Sequence, residues 1–350
     1  MMIRANPLEV SVIMPVYNVG KYVNECLKSV YQQTYSMPFE LSIFNDGSTD
    51  DSLDIVQQWK PLLDKRDIST VISGHGEAPR GVGYAKNKAV QQSSGKYLCF
   101  LDADDVMHKS RIQSQLSLAK TLESNTVIGT KFHRLPEGST KRYTLWANTT
   151  TQDQLYTQRY TSHGPTVIMP TWFCHRSVFD VQSFDETSNG IPEDLLFFNK
   201  HLDLGGRLAR VDEDLLMYRY RPGSITFSVS EQTIWDIRVE ALEKNVLASW
   251  PRFSIWNAGK QGRKLYRSLS EQNQRKVIAF CDVDEKKIAQ GFYTHQESEF
   301  RPKPQVPIVH YSQVEKPIII CIKLGLTHGQ FEEYLETCDL VEGKDYYHFN

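Results

Sequence analysis

The sequence predicts an α/β protein with a mostly parallel sheet, followed by a second, smaller α/β domain. Two observations support the first part: apolar runs at residues 10–16 and 40–44 each end in a polar loop, and apolar residues at helical spacing lie between them. A third observation supports the second part, because strand-like and helix-like segments alternate again after Pro251. We therefore expect one domain over residues 1–250 and another over residues 251–350.

The composition limits the class of protein without deciding its function. The 350 residues are 40% hydrophobic and 11% aromatic, which allows a sizeable core and excludes global disorder. The formal net charge of -2 excludes a broadly basic surface but permits a local basic patch. The sequence has no apolar run of about 18 residues and no signal-peptide pattern at its N-terminus. We therefore expect no membrane partner.

The cysteines indicate a reducing compartment. None of the 6 cysteines is in C-x-x-C spacing, and Cys99, Cys281 and Cys321 lie in apolar, strand-like runs. We therefore expect buried free thiols and a cytoplasmic protein. The alternative is the disulfide framework of a secreted protein.

The predicted strands of the first domain bring three loops to one edge of the sheet. The apolar runs at residues 10–16, 40–44 and 97–101 are typical of strands, as is the shorter run at 70–73. Parallel sheets bind ligands at the carboxyl ends of their strands. We therefore expect the chemistry in the loops that follow residues 16, 44 and 101.

The loop at residues 45–52 follows a strand and opens a helix. One interpretation is structural: Gly47 makes the turn, and Ser48 or Asp50 caps the helix. The other is functional: Asp46, at the end of the strand, accepts hydrogen bonds from a nucleobase or a ribose. The residues alone leave both interpretations open.

The loop after the most apolar strand contains Asp102, Ala103 and Asp104. Two carboxylates one residue apart can reach one divalent ion together with a sugar nucleotide, and carboxylates suit Mn²⁺ or Mg²⁺. Such an ion would neutralise a diphosphate leaving group as its charge builds up. The alternative is a solvated acidic turn, since the pattern D-x-D is common.

The segment Pro192-Glu193-Asp194 places two acids at the start of a helix, before an apolar run. One of these acids would act as a general base that deprotonates an acceptor hydroxyl. The alternative is electrostatic, because the helix dipole by itself favours acids at this position.

The three acidic segments together, in this order and spacing, are far more specific than any one of them. With them, residues 9–225 resemble the family-two inverting glycosyltransferases. The resemblance implies a GT-A fold, a UDP-sugar donor and a bound Mn²⁺ or Mg²⁺ ion.

The same resemblance implies roles for individual residues. The acidic pair supplies the general base, with Asp194 favoured over Glu193, and Asp104 binds the metal together with Asp102. The residues implied to bind the nucleotide sugar are Pro15, Val16, Tyr17, Asn18, Asp46, Arg80, Gly81, Lys86, Asp102 and Ala103.

Two positions depart from the family pattern. Many relatives have Arg where Lys86 stands, and Lys keeps the charge but loses the planar fork. Many also carry a metal-binding His where Arg221 stands, and a guanidinium cannot ligate a metal. Arg221 is therefore a candidate for direct contact with the diphosphate, and the third metal ligand is left open.

A finer resemblance concerns the substrates. Stretches such as RGVGYAKNKAVQQSSGKYLCFLDADDVM and IWNAGKQGR look like vertebrate galactosyltransferases that modify queuosine in tRNA. This resemblance implies UDP-galactose as the donor and queuosine in the anticodon of cytoplasmic tRNA-Tyr as the acceptor. The alternatives are a UDP-sugar transferase for a glycan or small molecule, such as β-1,3-N-acetylglucosaminyl transfer, and an inactive RNA-binding relative.

The tail is predicted as a small Rossmann-like domain. Its turn at residues 257–262 resembles a dinucleotide-binding turn whose first glycine has become Asn257, with Asp282 or Asp284 as the ribose acid. The alternative is a turn that binds no cofactor.

A basic helix follows that turn and is a candidate for tRNA binding. A polyanionic partner would offset the cost of placing cations in the first half of a helix. The alternative is an ordinary solvated basic face. The residues concerned are Lys260, Arg263, Lys264 and Arg267.

Overall fold

The structure is a computed structural model, and the residues that it describes are 8–187, 190–221, 229–327 and 329–350. Within these residues, no helix is long and apolar enough to cross a membrane.

The chain divides into two compact units. The first consists of Met1–Leu155 and Pro165–Ser230, and the second of Tyr156–Gly164 and Glu231–Asn350. The helix that begins at Glu231 packs its apolar side chains into the core of the second unit, so this division falls before residue 250. The domain boundary drawn from the sequence stays a prediction.

The first unit is built on a mostly parallel sheet, as predicted. Its strand order among the described residues is β3-β2-β1-β4-β7-β6-β8-β5. The neighbouring strands β3, β2, β1 and β4 run parallel, as do β6 and β8, whereas β7 and β5 run antiparallel to their neighbours. The strands are β1 Val10–Val16, β2 Phe39–Asp46, β3 Ile68–His75, β4 Tyr97–Phe100, β5 Val106–Met107, β6 Thr126–Leu135, β7 Phe173–His175 and β8 Arg207–Arg219.

Helices of the first unit form where apolar residues recur at helical spacing. In the first of them, Val23, Cys26, Leu27 and Val30 are all buried on one face. The helices are α1 Gly20–Tyr31, α2 Ser52–Asp64, α3 Val82–Gln92, α4 Arg111–Ala119, α5 Lys141–Thr149, α6 Gln154–Thr157, α7 Ser177–Asp180 and α8 Glu193–Asp203.

An aromatic cluster fixes the position of α8. Phe197 of this helix packs with its ring centroid 4.8 Å from that of Phe184 and 5.4 Å from that of Trp172. All three rings are buried, and the Trp172 indole N–H donates to the carbonyl of Val167 at 2.8 Å. The start of α8, which carries the acidic pair, is therefore held by a rigid apolar support.

The second unit also has a mostly parallel sheet, with the order β11-β12-β10-β9-β13-β14. Its strands are β9 Phe253–Trp256, β10 Val277–Asp282, β11 Phe292–Thr294, β12 Gln305–His310, β13 Ile318–Ile320 and β14 Tyr346–His348. Its helices are α9 Glu231–Leu242, extended by a π-helical turn Glu243–Leu247, α10 Lys260–Ser268, α11 Glu271–Gln274, α12 Glu285–Ala289 and α13 Gln330–Glu336.

The turn between β9 and α10 uses its polar groups within the unit. Asn257, at a φ of 112°, accepts from the Gly259 N–H at 2.7 Å and donates to the Cys321 carbonyl at 2.9 Å. Asp282 accepts from the Ala258 N–H and from Lys287 Nζ, both at 2.9 Å. These contacts favour a turn that binds no cofactor.

The cysteines are free, as predicted. Of the described residues, Cys26, Cys99, Cys174, Cys281 and Cys321 are buried thiols, and Cys338 is half-buried. The compartment in which the protein works stays a prediction.

A buried polar network joins β1, β2 and the chain before β4. Ser11 Oγ donates to Glu40 Oε2 at 2.6 Å and accepts from the Gly95 N–H at 2.8 Å. Ser94 donates to the same carboxylate through its N–H and its hydroxyl. The network fixes how β4 enters the sheet, and β4 leads directly into the acidic loop at residues 101–105.

The substitution Gly95→Ala should destabilise the first unit by about 1–3 kcal/mol, a typical cost of overpacking. A Cβ at this position would lie 2.5 Å from the Ser11 backbone nitrogen, which cannot move without distorting β1. Gly76→Ala is the matched control, because a Cβ there meets nothing within 4 Å. Chemical denaturation that gives equal stabilities for the two variants would contradict this role for Gly95.

Candidate active site

The carboxyl ends of β1, β2 and β4 meet at one edge of the sheet, as predicted. Pro15 and Val16 are buried inside β1, so the residues of this segment that face solvent are Tyr17 and Asn18. Pro15 and Val16, which are predicted to line a nucleotide pocket, can therefore contact a nucleotide only through their backbone atoms.

The loop after β1 is tied to the loop after β2 by short polar contacts. Asn18, at a φ of 48°, accepts from the Thr49 N–H at 2.8 Å, and its own N–H donates to Ser48 Oγ at 3.1 Å. The Gly20 N–H donates to Asp50 Oδ2 at 2.9 Å. These contacts hold the two loops as one rigid rim of the site.

Hydrogen-bond donors of the protein occupy both carboxylate oxygens of Asp46. Its two carboxylate oxygens accept from the N–H groups of Arg80 and Gly81 at 2.8–3.0 Å and from His75 Nε2 at 2.9 Å. A carboxylate offers about four acceptor positions, and these contacts fill them. In this structure Asp46 positions the turn before α3, and its contact with a nucleobase stays a prediction.

The turn that Asp46 holds contains Arg80 and Gly81. Gly81 has a φ of 109°, which favours glycine, and it is the residue before the first turn of α3. The Arg80 guanidinium lies over the ring of Tyr84, with 3.9 Å between its central carbon and the ring centroid. The polar fork of Arg80 is thus oriented by stacking.

The carboxylates of the acidic loop after β4 differ in burial and in hydrogen bonding. Asp102 is half-buried, and within the described residues its carboxylate accepts no hydrogen bond; burial raises its pKa. Ala103 is buried beneath the loop. Asp105 is fully buried, accepts from the Arg219 N–H at 2.8 Å, and burial with the nearby charges of Asp104 and Asp102 raises its pKa well above the usual range.

Two arginines at the end of β8 hold Asp104. Arg221 Nε forms an ion pair with Asp104 Oδ2 at 2.6 Å, and Arg219 Nε donates to the Asp104 carbonyl at 2.8 Å. Both guanidinium groups lie near the ring of Tyr22, at 4.9 Å for Arg219 and 5.2 Å for Arg221. Arg221 thus neutralises the carboxylate that the resemblance assigns to a metal.

The two acids at the start of α8, Glu193 and Asp194, make different contacts. Lys86, which is 3% exposed, donates to Glu193 Oε1 at 2.9 Å. Burial opposes the charge of this lysine, but the carboxylates of Glu193, Asp102 and Asp194 outweigh it and raise the pKa of Lys86. Glu193 is therefore held as the partner of a buried cation.

Asp194 remains outside that ion pair. Its carboxylate accepts only the N–H of Leu195, at 2.7 Å, among the described residues. Burial, together with the neighbouring charge of Glu193, raises the pKa of Asp194 to about 7. A carboxylate with this pKa can exchange a proton near neutral pH, which suits a general base.

The acidic loop partly fits a divalent ion. Asp102 presents a half-buried carboxylate without a partner and Asp104 a second one close by in the chain, which are ligands that Mn²⁺ and Mg²⁺ accept. Among the described residues, no group of 3 or more His, Cys, Asp or Glu side chains is placed to hold a metal. An ion at Asp102 and Asp104 would have to complete its coordination with the nucleotide and water.

The basic helix α10 is more involved in internal contacts than its sequence suggests. The Arg263 guanidinium lies 5.0 Å from the ring centroid of Tyr293, and Lys264 Nζ lies 3.9 Å from that of Trp235. Arg267 donates to the hydroxyl of Tyr293 at 3.2 Å. Lys260 is exposed. A role of this helix in binding tRNA stays a prediction.

Comparison with known proteins identifies the first unit. Residues 11–182 match the family model "Glycosyl transferase family 2". These residues, about half of the chain, are similar to a family 2 glycosyltransferase domain, and the first unit has a GT-A fold. The predicted fold class is thereby confirmed, and the protein is a glycosyltransferase.

Relatives and solved structures agree with this assignment. The glycosyltransferase GlyG of Streptococcus pneumoniae is 26% identical over 226 residues, which cover 62% of this chain and 72% of GlyG. TuaG of Bacillus subtilis, a putative teichuronic acid biosynthesis glycosyltransferase, is 35% identical over 107 residues, 31% of this chain and 40% of TuaG. The fold is similar to that of S. aureus TarS 1-349 in complex with UDP-GlcNAc, with a TM-score of 0.53, 20% identity, and coverage of 76% of this chain and 71% of that chain.

Several residues of the site carry no signal in the sequence. His75 forms a hydrogen bond with the Asp46 carboxylate, and Arg219 donates to the Asp104 carbonyl of the acidic loop. The ring of Tyr22 lies near the guanidinium groups of Arg219 and Arg221. Each reaches its partner across a large sequence separation, so no local pattern could identify it. Asp105 stands in the acidic motif itself, but only its complete burial distinguishes it from its neighbours.

The pKa of Asp194 predicts how the rate depends on pH. If Asp194 is the general base, the rate of sugar transfer at limiting acceptor should rise with pH and reach half its maximum near pH 7, because its carboxylate must lose its proton before it can accept another. The measurement is the pH profile of kcat/KM. A profile that is flat between pH 5.5 and about 8.5 would show that no group with the pKa of Asp194 limits the reaction.

The same shift predicts a stability effect. Since the folded state raises this pKa, the ionised carboxylate destabilises the ligand-free fold as pH rises from about 4 through 7, and the effect is constant above that. Asp194→Asn should therefore unfold at a higher temperature than the wild type at pH 8, whereas below pH 4 the two should match. An equal difference at both pH values would assign the effect to packing instead.

Proposed function

We propose that this protein transfers a sugar from a UDP-sugar to an acceptor hydroxyl with inversion, and that Asp194 is the general base. The observation that carries the proposal is the division of the acidic pair. Glu193 is committed to Lys86 at 2.9 Å, whereas Asp194 lies outside that ion pair and has a pKa of about 7.

The need for a base follows from the chemistry of inversion. The acceptor oxygen attacks the anomeric carbon opposite the departing UDP, and a hydroxyl is a poor nucleophile at neutral pH. Asp194 would take its proton as the new bond forms, giving a β-linked product. The Lys86–Glu193 ion pair would hold the first turn of α8 so that Asp194 points at the acceptor.

The residues that face the diphosphate follow from the acidic loop. Asp102 and Asp104 would hold Mn²⁺ or Mg²⁺, and such an ion neutralises charge on the departing diphosphate. Arg221 would exchange the Asp104 carboxylate for a diphosphate oxygen when the donor binds. Its ion pair with Asp104 at 2.6 Å supports this role, because it holds the guanidinium within reach of the same site.

Two lines of support favour a uridine nucleotide. The motifs around Asp46, Asp102 and Asp194 resemble a family that uses UDP-sugars, and TarS, which is similar in fold, binds UDP-GlcNAc. The identity of the hexose depends on the shape of the pocket. Galactose is proposed here on the finer resemblance alone.

For the acceptor, we propose queuosine in the anticodon of cytoplasmic tRNA-Tyr. The support is the match along RGVGYAKNKAVQQSSGKYLCFLDADDVM and IWNAGKQGR. In this proposal the second unit, with Lys260, Arg263, Lys264 and Arg267 on α10, docks the tRNA. A glycan acceptor is the second candidate, because TuaG is described as a teichuronic acid biosynthesis enzyme.

The acceptor is tested by UDP release from UDP-galactose with purified tRNA that carries queuosine. Release should depend on this tRNA and should stop in excess EDTA, because Asp102 and Asp104 then lack their ion. The control is the same tRNA with unmodified guanosine at the anticodon position. Release that is equal with both tRNAs would exclude queuosine as the acceptor, and full turnover in EDTA would exclude a metal-dependent reaction.

The base is tested by a matched pair of variants. Asp194→Asn should slow transfer by about 10²–10⁴-fold, the usual contribution of a general base, while the affinity for UDP-galactose stays within about twofold. Glu193→Gln should retain the base but lose the partner of Lys86, so its main defect should be stability. If Asp194→Asn is active and Glu193→Gln is folded but dead, the base has been assigned to the wrong acid.

A further inference from the structure

An arginine and three aromatic rings form one wall near the acidic loop. Arg134 of β6 stands opposite Tyr218 of β8 in the register of the sheet, and the central guanidinium carbon lies 3.7 Å from the Tyr218 ring centroid. The rings of Tyr143 and Phe132 lie 5.5 Å and 5.6 Å from the same carbon. Stacking at this distance fixes the plane of the guanidinium and the direction of its donors.

Arg134 has donors that the described residues do not use. Its Nε is buried and has no hydrogen-bond partner in this part of the chain. Its Nη1 reaches only the Arg219 carbonyl, at 3.5 Å, which is the outer limit of a hydrogen bond. Arg134 as a whole is only half-buried, so a ligand that supplies oxygen atoms can reach its terminal nitrogens rather than the buried Nε.

This wall lies beside the residues of the proposed reaction. Leu135, next to Arg134, pairs with Arg219, which donates to Asp105 Oδ1 and to the Asp104 carbonyl, both at 2.8 Å. Electrostatics agree with this placement: burial raises the pKa of the Tyr143 hydroxyl, the charge of Arg134 opposes that effect, and the charge of Asp194 adds to it.

We propose that Arg134, Tyr143 and Tyr218 form the subsite that binds the acceptor. The guanidinium of Arg134 donates to two adjacent hydroxyl oxygens of the acceptor, and the tyrosine rings pack against its carbon frame. A hydroxyl held in this way is presented to Asp194. The inference rests on the proposed function, because it takes Asp194 as the base.

The charge around the subsite decides which acceptor chemistry fits. The planar donors of a guanidinium can bind either a phosphate or a pair of neighbouring hydroxyls. The carboxylate of Asp102 acts on Tyr218 and that of Asp194 on Tyr143, and both would repel a phosphate, whereas neutral hydroxyls meet no such penalty. The subsite therefore selects a vicinal diol.

The test offers small alcohols in competition with water to the enzyme with Mn²⁺ and a UDP-hexose that it hydrolyses. The probes are cis-1,2-cyclohexanediol and cyclohexanol at equal concentration, and the glycoside products are counted by mass spectrometry. The wild type should prefer the diol. Arg134→Met should reduce that preference by about 10–100-fold, the range expected for hydrogen bonds to a charged group, while hydrolysis by water stays within about twofold.

Two further variants separate binding from charge. Arg134→Lys keeps the charge without the fork and should restore little of the preference for the diol. Lys131→Met, on the same strand and paired with Asp212 at 2.9 Å, removes one positive charge elsewhere and should leave the preference unchanged.

Three outcomes would overturn the inference. An equal preference for the diol in the wild type and Arg134→Met would show that Arg134 does not touch the acceptor. A parallel loss of hydrolysis and melting temperature in Arg134→Met would make it only a counter-charge for the acidic loop. If the wild type releases no UDP from UDP-galactose, UDP-glucose or UDP-GlcNAc, the proposed function itself fails, and the subsite with it.

Discussion

Carboxylates crowd the carboxyl edge of the first sheet, and their mutual repulsion has to be offset before the strands and α8 can pack. The protein uses a different device for each one. Asp46 is satisfied by backbone N–H groups, Glu193 by a buried lysine and Asp104 by Arg221. Asp105 is fully buried, and burial together with the charges of Asp104 and Asp102 raises its pKa well above the usual range. Asp102 and Asp194 are half-buried and contact no cation of the described residues directly, and the proposed reaction uses the first as a metal ligand and the second as the general base.

The ion pair between Lys86 and Glu193 links the two halves of this arrangement. Lys86 lies on α3, whose start is positioned by Asp46, and Glu193 lies on α8, whose first turn carries Asp194. Both partners are largely buried, at 3% and 13% side-chain exposure, so removing one would strand the other at a typical cost of about 3–5 kcal/mol. The nucleotide side and the acceptor side of the site are therefore mechanically coupled through one contact. This also explains why the two adjacent acids are not interchangeable: Glu193 is the ion-pair partner of Lys86, whereas Asp194 lies outside that pair and is the acid proposed to take the acceptor's proton.

Much of the fold could be predicted from local patterns, whereas much of the site could not. The runs at residues 10–16 and 97–100 are strands because they are apolar, with Ser11 as the exception, and buried on both faces, and this signal needs no partner. The acidic loops follow from the same pattern, since loops after parallel strands share an edge. The contacts of Arg134, Arg219 and His75 depend on register and on distant chain segments, which composition and spacing do not encode. For the basic residues of α10, the sequence suggests more than the structure shows. Their spacing suggests a free cationic face, but Tyr293 contacts Arg263 and Arg267, and Trp235 contacts Lys264.

The position of Arg221 also decides how charge is balanced in the ligand-free site. A guanidinium on Asp104 satisfies the acidic loop when no donor is present, so the ligand-free site does not need a metal to remain folded. In the proposed function, a divalent ion would compete with Arg221 for this carboxylate, so metal binding would be weak until a diphosphate offered the guanidinium another anion. Metal and nucleotide should then bind with positive coupling, and the coupling must be equal in both directions because it is a property of the equilibrium. In the proposed function, Arg221, where the family pattern has histidine, would therefore change how the ion is recruited without removing the carboxylates that would hold it.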